Sequence, residues 1–196
     1  MKKLNVFLDA GHGHNTPGKR SKKLPDGRQL LEWKFNRDVC DELQNLSADG
    51  IVYHHRGFYR DIKLSERVHD INTLSSSMTT PLGLILSIHA NALSRSGDWQ
   101  TKAHGPRFIV AKNASDTSRL AAKCIHDSMT MLTKDVGSIY RERDLYIVSR
   151  TRPPAVLIEC GFMDNLEDAD LMLDVPGLYA NLIHKGNIDL VRRLGR

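Results

Sequence analysis

Short apolar runs alternate with amphipathic segments along the whole 196-residue chain, and this alternation constrains the fold most strongly. Leu31, Phe35, Val39 and Leu43 recur every four residues, which is typical of one face of a helix. Strands separated by helices of ten or more residues indicate a largely parallel sheet. We therefore predict an α/β fold: a single-domain three-layer sandwich with a mostly parallel, twisted central sheet flanked by helices. The predicted strands are 4–8, 50–56, 82–91, 106–112, 145–149 and 155–160, and the predicted helices are 30–46, 63–76, 115–134, 166–174 and 177–194.

Composition and charge narrow the classes of partner. A hydrophobic content of 40% and a charged content of 26% are ordinary for a globular domain. The net charge of +5 favours an anionic partner, which is a nucleic acid, a membrane surface or an anionic polymer. The chain lacks interleaved basic and aromatic residues, so we expect no nucleic-acid binding.

The beginning of the chain and its cysteines indicate where the protein is made. The apolar stretch 4–8 is shorter than an export signal requires and is closed by Asp9. No segment has the length needed to span a bilayer, so we expect no membrane insertion. Cys40, Cys124 and Cys160 are far apart and odd in number, which predicts free buried thiols. We expect synthesis in the cytoplasm without a signal peptide.

Potential metal ligands follow several of the predicted strands. His12 follows the first apolar run in "FLDAGHGH", His89 ends the third, and Glu159 ends the late run "AVLIE". The carboxyl ends of parallel strands meet at one edge of a sheet, where active sites collect. Glu32 lies in the first turn of the first predicted helix and faces the same edge. Two histidines and two carboxylates are therefore expected to converge.

Such a set suits catalytic zinc, which takes three protein ligands and a water. His12, Glu32 and His89 are the candidate ligands, and Glu159 is the candidate base that takes a proton from the attacking water. Each residue also has an ordinary structural use: a strand-end histidine forms hydrogen bonds, and a carboxylate at a helix start favours the helix dipole. Glu159 is harder to explain in this way, because an unpaired carboxylate is costly to bury. From these residues alone, both interpretations stay open.

Four separated motifs resemble those of one enzyme family, in its order. They are "LDAGHG", the early helix with Glu32, "SIHANA" and "PAVLIECGFMDNLED", and the likeness runs from about residue 4 to 190. The chain resembles the zinc-dependent N-acetylmuramoyl-L-alanine amidases of the amidase-3 type. That resemblance implies that His12, Glu32 and His89 bind one catalytic Zn²⁺ and that Glu159 is catalytic. The implied reaction is hydrolysis of the amide between the lactyl group of N-acetylmuramic acid and L-alanine in peptidoglycan.

The chain departs from the family pattern at His14, where "GHGH" replaces the usual "GHGG". We interpret His14 as a loop residue near the cleft and as a candidate substrate-binding residue. The glycines of this motif are expected to let the chain turn tightly at the strand end. The basic run "KRSKK" (19–23) is expected to be a solvated loop, with contact to an anionic wall polymer as the alternative. Structural or surface roles are expected for His54, His55, His69, His104, His126 and His184.

The remaining expectations concern biological context. The short stretch 92–105 leaves no room for the helix that covers the zinc in some cell-division amidases. We expect residues 1–196 to form one catalytic domain without a separate wall-binding domain. This combination resembles a phage or prophage endolysin released through a holin pore, and a housekeeping enzyme exported by another route is the alternative. We expect a monomer. Two other functions stay open: a metallo-carboxypeptidase or other peptidase, and a non-catalytic wall-binding module.

Overall fold

The computed structural model describes residues 3–48, 50–78, 82–94, 97–133 and 136–195. The strands are β1 (Leu4–Ala10), β2 (Arg20–Lys23), β3 (Gln29–Leu31), β4 (Ile51–His55), β5 (Leu82–Asn91), β6 (Arg107–Val110), β7 (Arg141–Glu142) and β8 (Ala155–Phe162). The helices are α1 (Glu32–Asn45), α2 (Leu64–Ser76), α3 (Asp116–Met129), α4 (Tyr146–Arg150), α5 (Leu166–Asp174) and α6 (Pro176–Leu194).

Six of these strands form the central sheet, in the order β4-β1-β5-β8-β6-β7. The pairs among β4, β1, β5 and β8 are parallel, whereas β6 runs antiparallel to β8. The predicted single-domain α/β fold with a mostly parallel sheet is therefore confirmed. Because β1, β5 and β8 run in the same direction, their carboxyl ends share one edge of the sheet.

The central strands are buried on both faces, which explains their continuous apolar runs. Along β5, Leu84 and Leu86 belong to the larger core cluster, together with Val39 of α1 and Ile125 of α3. Ile85 lies in a second cluster, which includes Val68 of α2 and Ile147 of α4. Alternate residues of a strand point to opposite faces. The two clusters therefore place helices on both sides of the sheet, as a three-layer sandwich requires.

The prediction of a strand at 145–149 is wrong, because these residues begin the five-residue helix α4. Ile147 and Val148 are adjacent and both buried, so their pattern does not distinguish a short strand from one helical turn. The amide of Ser149 donates to the carbonyl of Leu145, and Thr151 Oγ1 donates to the carbonyl of Ile147. These bonds close the turn as a helix.

The basic run 19–23 is also not a simple loop, because it contributes β2 of a two-stranded hairpin with β3. Ser21 is buried within this run, and its hydroxyl accepts a hydrogen bond from the amide of Leu30. The cationic neighbours of Ser21 stay exposed. A single buried serine among exposed cations therefore marks a strand that the charge had obscured. The short strand β7 was likewise not predicted.

The helices otherwise follow their predictions closely. The helix predicted at 166–174 has those bounds as α5, and α6 begins one residue early. The helix predicted at 115–134 ends at Met129, and residue 134 lies outside the described residues. Ser115 caps α3 by accepting from the amide of Ser118. The three cysteines are free and buried, as predicted. Within the described ranges, no helix combines the length and apolarity needed to cross a membrane.

Candidate active site

His12, Glu32 and His89 lie together at the carboxyl edge of the sheet. One nitrogen or oxygen of each lies within 4.8 Å of the others. Glu32 Oε1 is 3.3 Å from His12 Nε2 and 3.1 Å from His89 Nδ1. His12 follows β1, Glu32 opens α1 and His89 lies near the end of β5, so three separate elements supply the cluster. The structure thus brings together the two strand-end histidines and the helix-start glutamate that were the candidate ligands.

His12 adopts a backbone conformation that side chains other than glycine rarely take. Its φ of 67° lies in the left-handed region. The buried guanidinium of Arg67 donates to the carbonyls of His12 (3.0 Å) and Ala10 (2.6 Å). Arg67 also pairs with Asp9 at 2.8 Å and with Asp61 at 2.9 Å. This network fixes the carbonyls on both sides of the turn, so the surrounding structure maintains the strained histidine.

The glycines beside His12 were expected to let the chain turn tightly, but the positive φ of this turn falls on His12 itself. They provide space instead. A Cβ on residue 11 would lie 2.1 Å from Cε1 of His89, and one on residue 13 would lie 2.0 Å from the amide nitrogen of Asp61. Real Cβ atoms do not approach other atoms this closely. Gly11 therefore makes room for a member of the cluster, and Gly13 for the loop packed on its other side.

Glu32 is almost fully buried and is held as a carboxylate. Burial opposes its ionisation, but hydrogen bonds from His12 and His89 outweigh burial and hold the pKa of Glu32 well below its ordinary value. Burial in turn lowers the pKa of His89, and the Glu32 carboxylate more than reverses this effect. The amide of Ala90 donates to Glu32 Oε1 at 3.1 Å. Glu32 Oε2 is buried with no hydrogen-bond partner among the described residues.

This donor set fits a divalent metal ion. Buried polar atoms almost always have a partner, and a bound ion is one explanation for an exception such as Glu32 Oε2. Two imidazoles and one carboxylate are ligands that zinc commonly takes in catalytic sites. The three residues come from a loop, a helix and a strand.

Glu159 lies beside the cluster on the neighbouring strand, where its Cα is paired in register with that of His89. Burial raises the pKa of the Glu159 carboxyl, and the nearby charge of Glu32 adds to this effect. The positive charges of His89, Lys19 and Arg143 act in the opposite direction without reversing the shift. Glu159 Oε2 is buried without a partner among the described residues. A carboxyl group with a raised pKa near a candidate metal site suits proton transfer.

His14 does not join the three-residue cluster. Its amide and its Nδ1 both donate to the carbonyl of Tyr59, at 3.0 and 2.9 Å. Its ring stacks on that of Tyr59, with centroids 4.1 Å apart, and the edge of Trp33 meets both rings. Because Trp33 follows Glu32 directly, this aromatic cluster of His14, Trp33 and Tyr59 borders the candidate metal site. Tyr59 is 56% exposed, so the cluster is accessible from solvent.

Two residues that support the site were not predicted. Arg67 directly precedes the buried Val68 and lies four residues before Ile71, so a charged residue on the inner face of α2 was visible in the sequence. Asn36 lies on the inner face of α1, and its Nδ2 donates to the carbonyl of Gly11 at 2.9 Å. Both residues hold the backbone of the His12 loop. A buried polar residue on an otherwise apolar helix face was the available signal.

Comparisons with known proteins show what the chain is similar to. A family model described as N-acetylmuramoyl-L-alanine amidase matches residues 6–186. The chain is 27% identical over 195 residues to N-acetylmuramoyl-L-alanine amidase LytC of Bacillus subtilis (strain 168), covering 95% of this chain and 35% of LytC. It is also 27% identical over 182 residues to the endolysin of Bacillus phage SPP1, covering 88% of this chain and 59% of the endolysin. The chain thus spans about a third of one relative and three fifths of the other.

A solved structure shows the same fold. The crystal structure of N-acetylmuramoyl-L-alanine amidase from Clostridium difficile 630 superimposes with a TM-score of 0.80. The alignment covers 98% of each chain at 24% sequence identity. Elements and connections therefore agree over nearly the whole length.

Proposed function

The chain belongs to the N-acetylmuramoyl-L-alanine amidase family, and from this membership we propose a specific reaction for it. The protein hydrolyses the amide bond between the lactyl group of N-acetylmuramic acid and the L-alanine of peptidoglycan stem peptides, in a zinc-dependent manner. The observation that carries the proposal is the convergence of His12, Glu32 and His89 beside the buried oxygen of Glu159.

In this proposal His12, Glu32 and His89 hold one zinc ion. Zinc bound by three such ligands polarises a substrate carbonyl and makes a water molecule more acidic. The Glu32 carboxylate, kept ionised by its histidine neighbours, supplies negative charge to the ion at neutral pH. Asn36 and Arg67 hold the loop that carries His12 in its strained conformation.

Glu159 moves the proton that hydrolysis requires. As water adds to the lactyl carbonyl carbon, the Glu159 carboxylate accepts a proton from it. When the carbon–nitrogen bond breaks, the same group delivers that proton to the departing amine of L-alanine. The raised pKa of Glu159 brings its affinity for a proton closer to neutral pH, which suits both halves of this transfer.

We propose that His14 contacts the substrate as part of the aromatic cluster. His14 and Tyr59 present a stacked pair beside the metal site, and Tyr59 is largely exposed. Because the amide and Nδ1 of His14 both donate to the Tyr59 carbonyl, the two rings form a preorganised surface. We assign this surface to the muramic-acid side of the scissile bond.

A role in phage lysis is part of the proposal, because one of the matched relatives is named an endolysin. The identity to that relative equals the identity to the bacterial LytC, so the two origins are not separated by similarity. In either case the substrate is peptidoglycan. Release through a holin pore and action as a monomer remain proposals.

Mass spectrometry of digested peptidoglycan tests the reaction. Purified walls are incubated with the zinc-loaded protein, the chelated protein and the Glu159→Gln variant. We expect free stem peptides with new L-alanine amino termini and no new reducing ends. Chelation or the Glu159→Gln substitution should abolish the release of these peptides. Cleavage within the stem peptide would instead indicate a peptidase. Zinc binding without any cleavage would indicate a wall-binding module, and either result would overturn the proposal.

A further inference from the structure

A basic groove opens beside Glu159, on the side away from the aromatic cluster. Its cavity has a volume of about 430 Å³, within the usual range for a ligand site. Four cationic side chains line it: Lys102, Arg107, Arg141 and Arg143. Among the described residues that line the groove, Glu159 is the one acidic side chain. The groove is thus strongly positive. It extends to Glu159, to which we assign proton transfer.

The reversed direction of β6 builds this groove. Because β6 runs antiparallel to β8, its first residue, Arg107, is paired in register with Glu159. Strand β7 then runs parallel to β6 and places Arg141 opposite Ile109. The amide of Arg143 donates to the carbonyl of Val110 at 2.9 Å. The arginines therefore project from backbone that is bonded into the sheet.

Two of the four cations in the groove have no compensating ion pair within the described part of the chain. Arg141 and Arg143 are exposed and form no ion pair there, and Glu142 between them pairs with Arg119 at 2.7 Å. The positive charge of Arg143 acts on Glu159, whose pKa it lowers against the effect of burial. A groove with this excess of positive charge attracts an anion.

The side chain of Arg107 is held more firmly than those of Arg141 and Arg143. Its Nη1 donates to the carbonyl of Pro106 at 2.8 Å, and its guanidinium lies 5.4 Å from the ring centroid of Phe162. A Cβ on Gly137 would lie 2.8 Å from Arg107 Cδ, so this side chain is closely packed. Arg141 and Arg143 are therefore the side chains that are free to adjust to a bound anion. Their planar guanidinium groups match the geometry of a carboxylate.

We propose that this groove binds a free carboxylate of the stem peptide, on the L-alanine side of the scissile bond. Glu159 must lie next to the departing amine, so the peptide that continues from this amine enters the space beyond Glu159. That space is the basic groove. The sheet order places the His12 loop and its aromatic cluster on the opposite side of His89, where the sugar lies. The assignment rests on the proposed amidase function.

The test uses two synthetic muramoyl peptides that differ at one group. The residue after L-alanine carries a free carboxylate in one and a carboxamide in the other. The zinc-loaded wild type is expected to prefer the carboxylate substrate about tenfold or more in kcat/KM, mainly through KM. The preference should weaken with added salt, because exposed charges are screened. The double variant Arg141→Ala/Arg143→Ala should lose it.

Three controls keep the result interpretable. Arg192→Ala removes an exposed cation from α6 and should retain the preference. Arg141→Lys/Arg143→Lys keeps the charges and should restore part of it. Zinc content and thermal unfolding should be unchanged in all variants, because the substituted side chains are exposed.

The outcomes separate the two proposals. If the wild type cleaves both substrates with equal kcat/KM, or if the double variant loses activity equally on both, the groove does not recognise this carboxylate and the inference is overturned. The amidase function would survive either result. If the wild type cleaves neither substrate, the proposed function itself fails.

Discussion

The imidazole of His89 occupies the space that a side chain on residue 11 would need. Cε1 of His89 would lie 2.1 Å from a Cβ at Gly11, and both imidazole nitrogens would lie within 2.5 Å. Residue 11 and residue 89 come from the ends of neighbouring parallel strands. The packing of one candidate ligand thus depends on the absence of a single carbon atom beside another.

Gly11→Ala is expected to displace His89 and to weaken zinc binding. Overpacking of this kind typically costs about 1–3 kcal/mol in the free energy of unfolding. Competition with a chromogenic chelator and urea unfolding measure the two effects. Gly177→Ala is the matched control, since nothing lies within 4 Å of its Cβ and alanine favours the helix α6. Wild-type zinc affinity in the Gly11→Ala protein would contradict the steric explanation.

Glu32→Gln is expected to reduce zinc affinity by more than about 100-fold. Loss of a residue that only supports a metal ligand costs up to about 100-fold, and loss of a ligand should cost more. The amide keeps the shape of the side chain but removes its charge. Isothermal titration with zinc measures the loss. Glu42→Gln changes an exposed residue of the same helix and should bind zinc like the wild type. Equal affinities in the two variants would remove Glu32 from the metal site.

Glu159→Gln is expected to lower kcat by about 10²–10⁴-fold, as typical for loss of a general acid–base group. Zinc affinity should not change, because the proposed ligands are intact. The free energy of unfolding should not fall, since a buried carboxylate oxygen without a partner is replaced by a neutral group. A parallel loss of stability and zinc would indicate a structural role for Glu159 instead.

Arg67→Met is expected to destabilise the protein by about 3–5 kcal/mol, because Asp9 would be left buried without its partner. The same variant should weaken zinc binding, since the carbonyl of His12 loses its donor. Arg56→Met breaks an exposed ion pair with Asp70 and should cost less than about 1 kcal/mol. Urea unfolding of the three proteins measures the difference. Similar losses of unfolding free energy in the Arg67→Met and Arg56→Met proteins would show that the hydrogen-bond network of Arg67 does not support the fold.

His54 is expected to make stability depend on pH. Its Nε2 donates to Asn5 Oδ1 at 2.9 Å, its ring stacks on Phe7, and burial lowers its pKa. The unfolded chain therefore binds a proton more readily than the folded one. This contribution to stability is complete above the unfolded pKa of about 6.5 and is lost as pH falls below it.

The comparison of wild type with His54→Gln isolates this effect, because other titrating groups cancel. The stability advantage of the wild type should be smaller at about pH 5 than at about pH 8. Urea unfolding at both pH values measures it. A constant or growing advantage on acidification would show that His54 is not the group responsible.

The predictable part of the site followed from strand direction. His12, His89 and Glu159 each follow or end an apolar run, and parallel strands bring such ends to one edge. Their convergence therefore needed no local motif. The supporting contacts were not accessible in this way, because Arg67 and Asn36 act through backbone carbonyls of a distant loop. Sequence spacing does not report such long-range hydrogen bonds.

The errors in the predicted fold arose in segments that are too short for the spacing of apolar residues to distinguish a strand from a helix. Ile147 and Val148 are apolar in either a strand or a helical turn, and the hydrogen bond to Leu145 settled the choice. In the hairpin, Ser21 is a small polar residue whose burial depends on its bond to the Leu30 amide. The left-handed φ of His12 was hidden for a different reason. Flanking glycines usually take such conformations, but here they were needed for space.

Strand β8 is synthesised late, yet it lies between β5 and β6 in the middle of the sheet. All three proposed ligands precede β8 in the chain. A nascent or truncated chain that ends before β8 lacks both the central strand and the carboxylate assigned to proton transfer. Pairing of β5 with β8 is a long-range contact, and β8 joins the parallel strands to β6 and β7. The same late strand therefore completes both the central sheet and the proposed catalytic site.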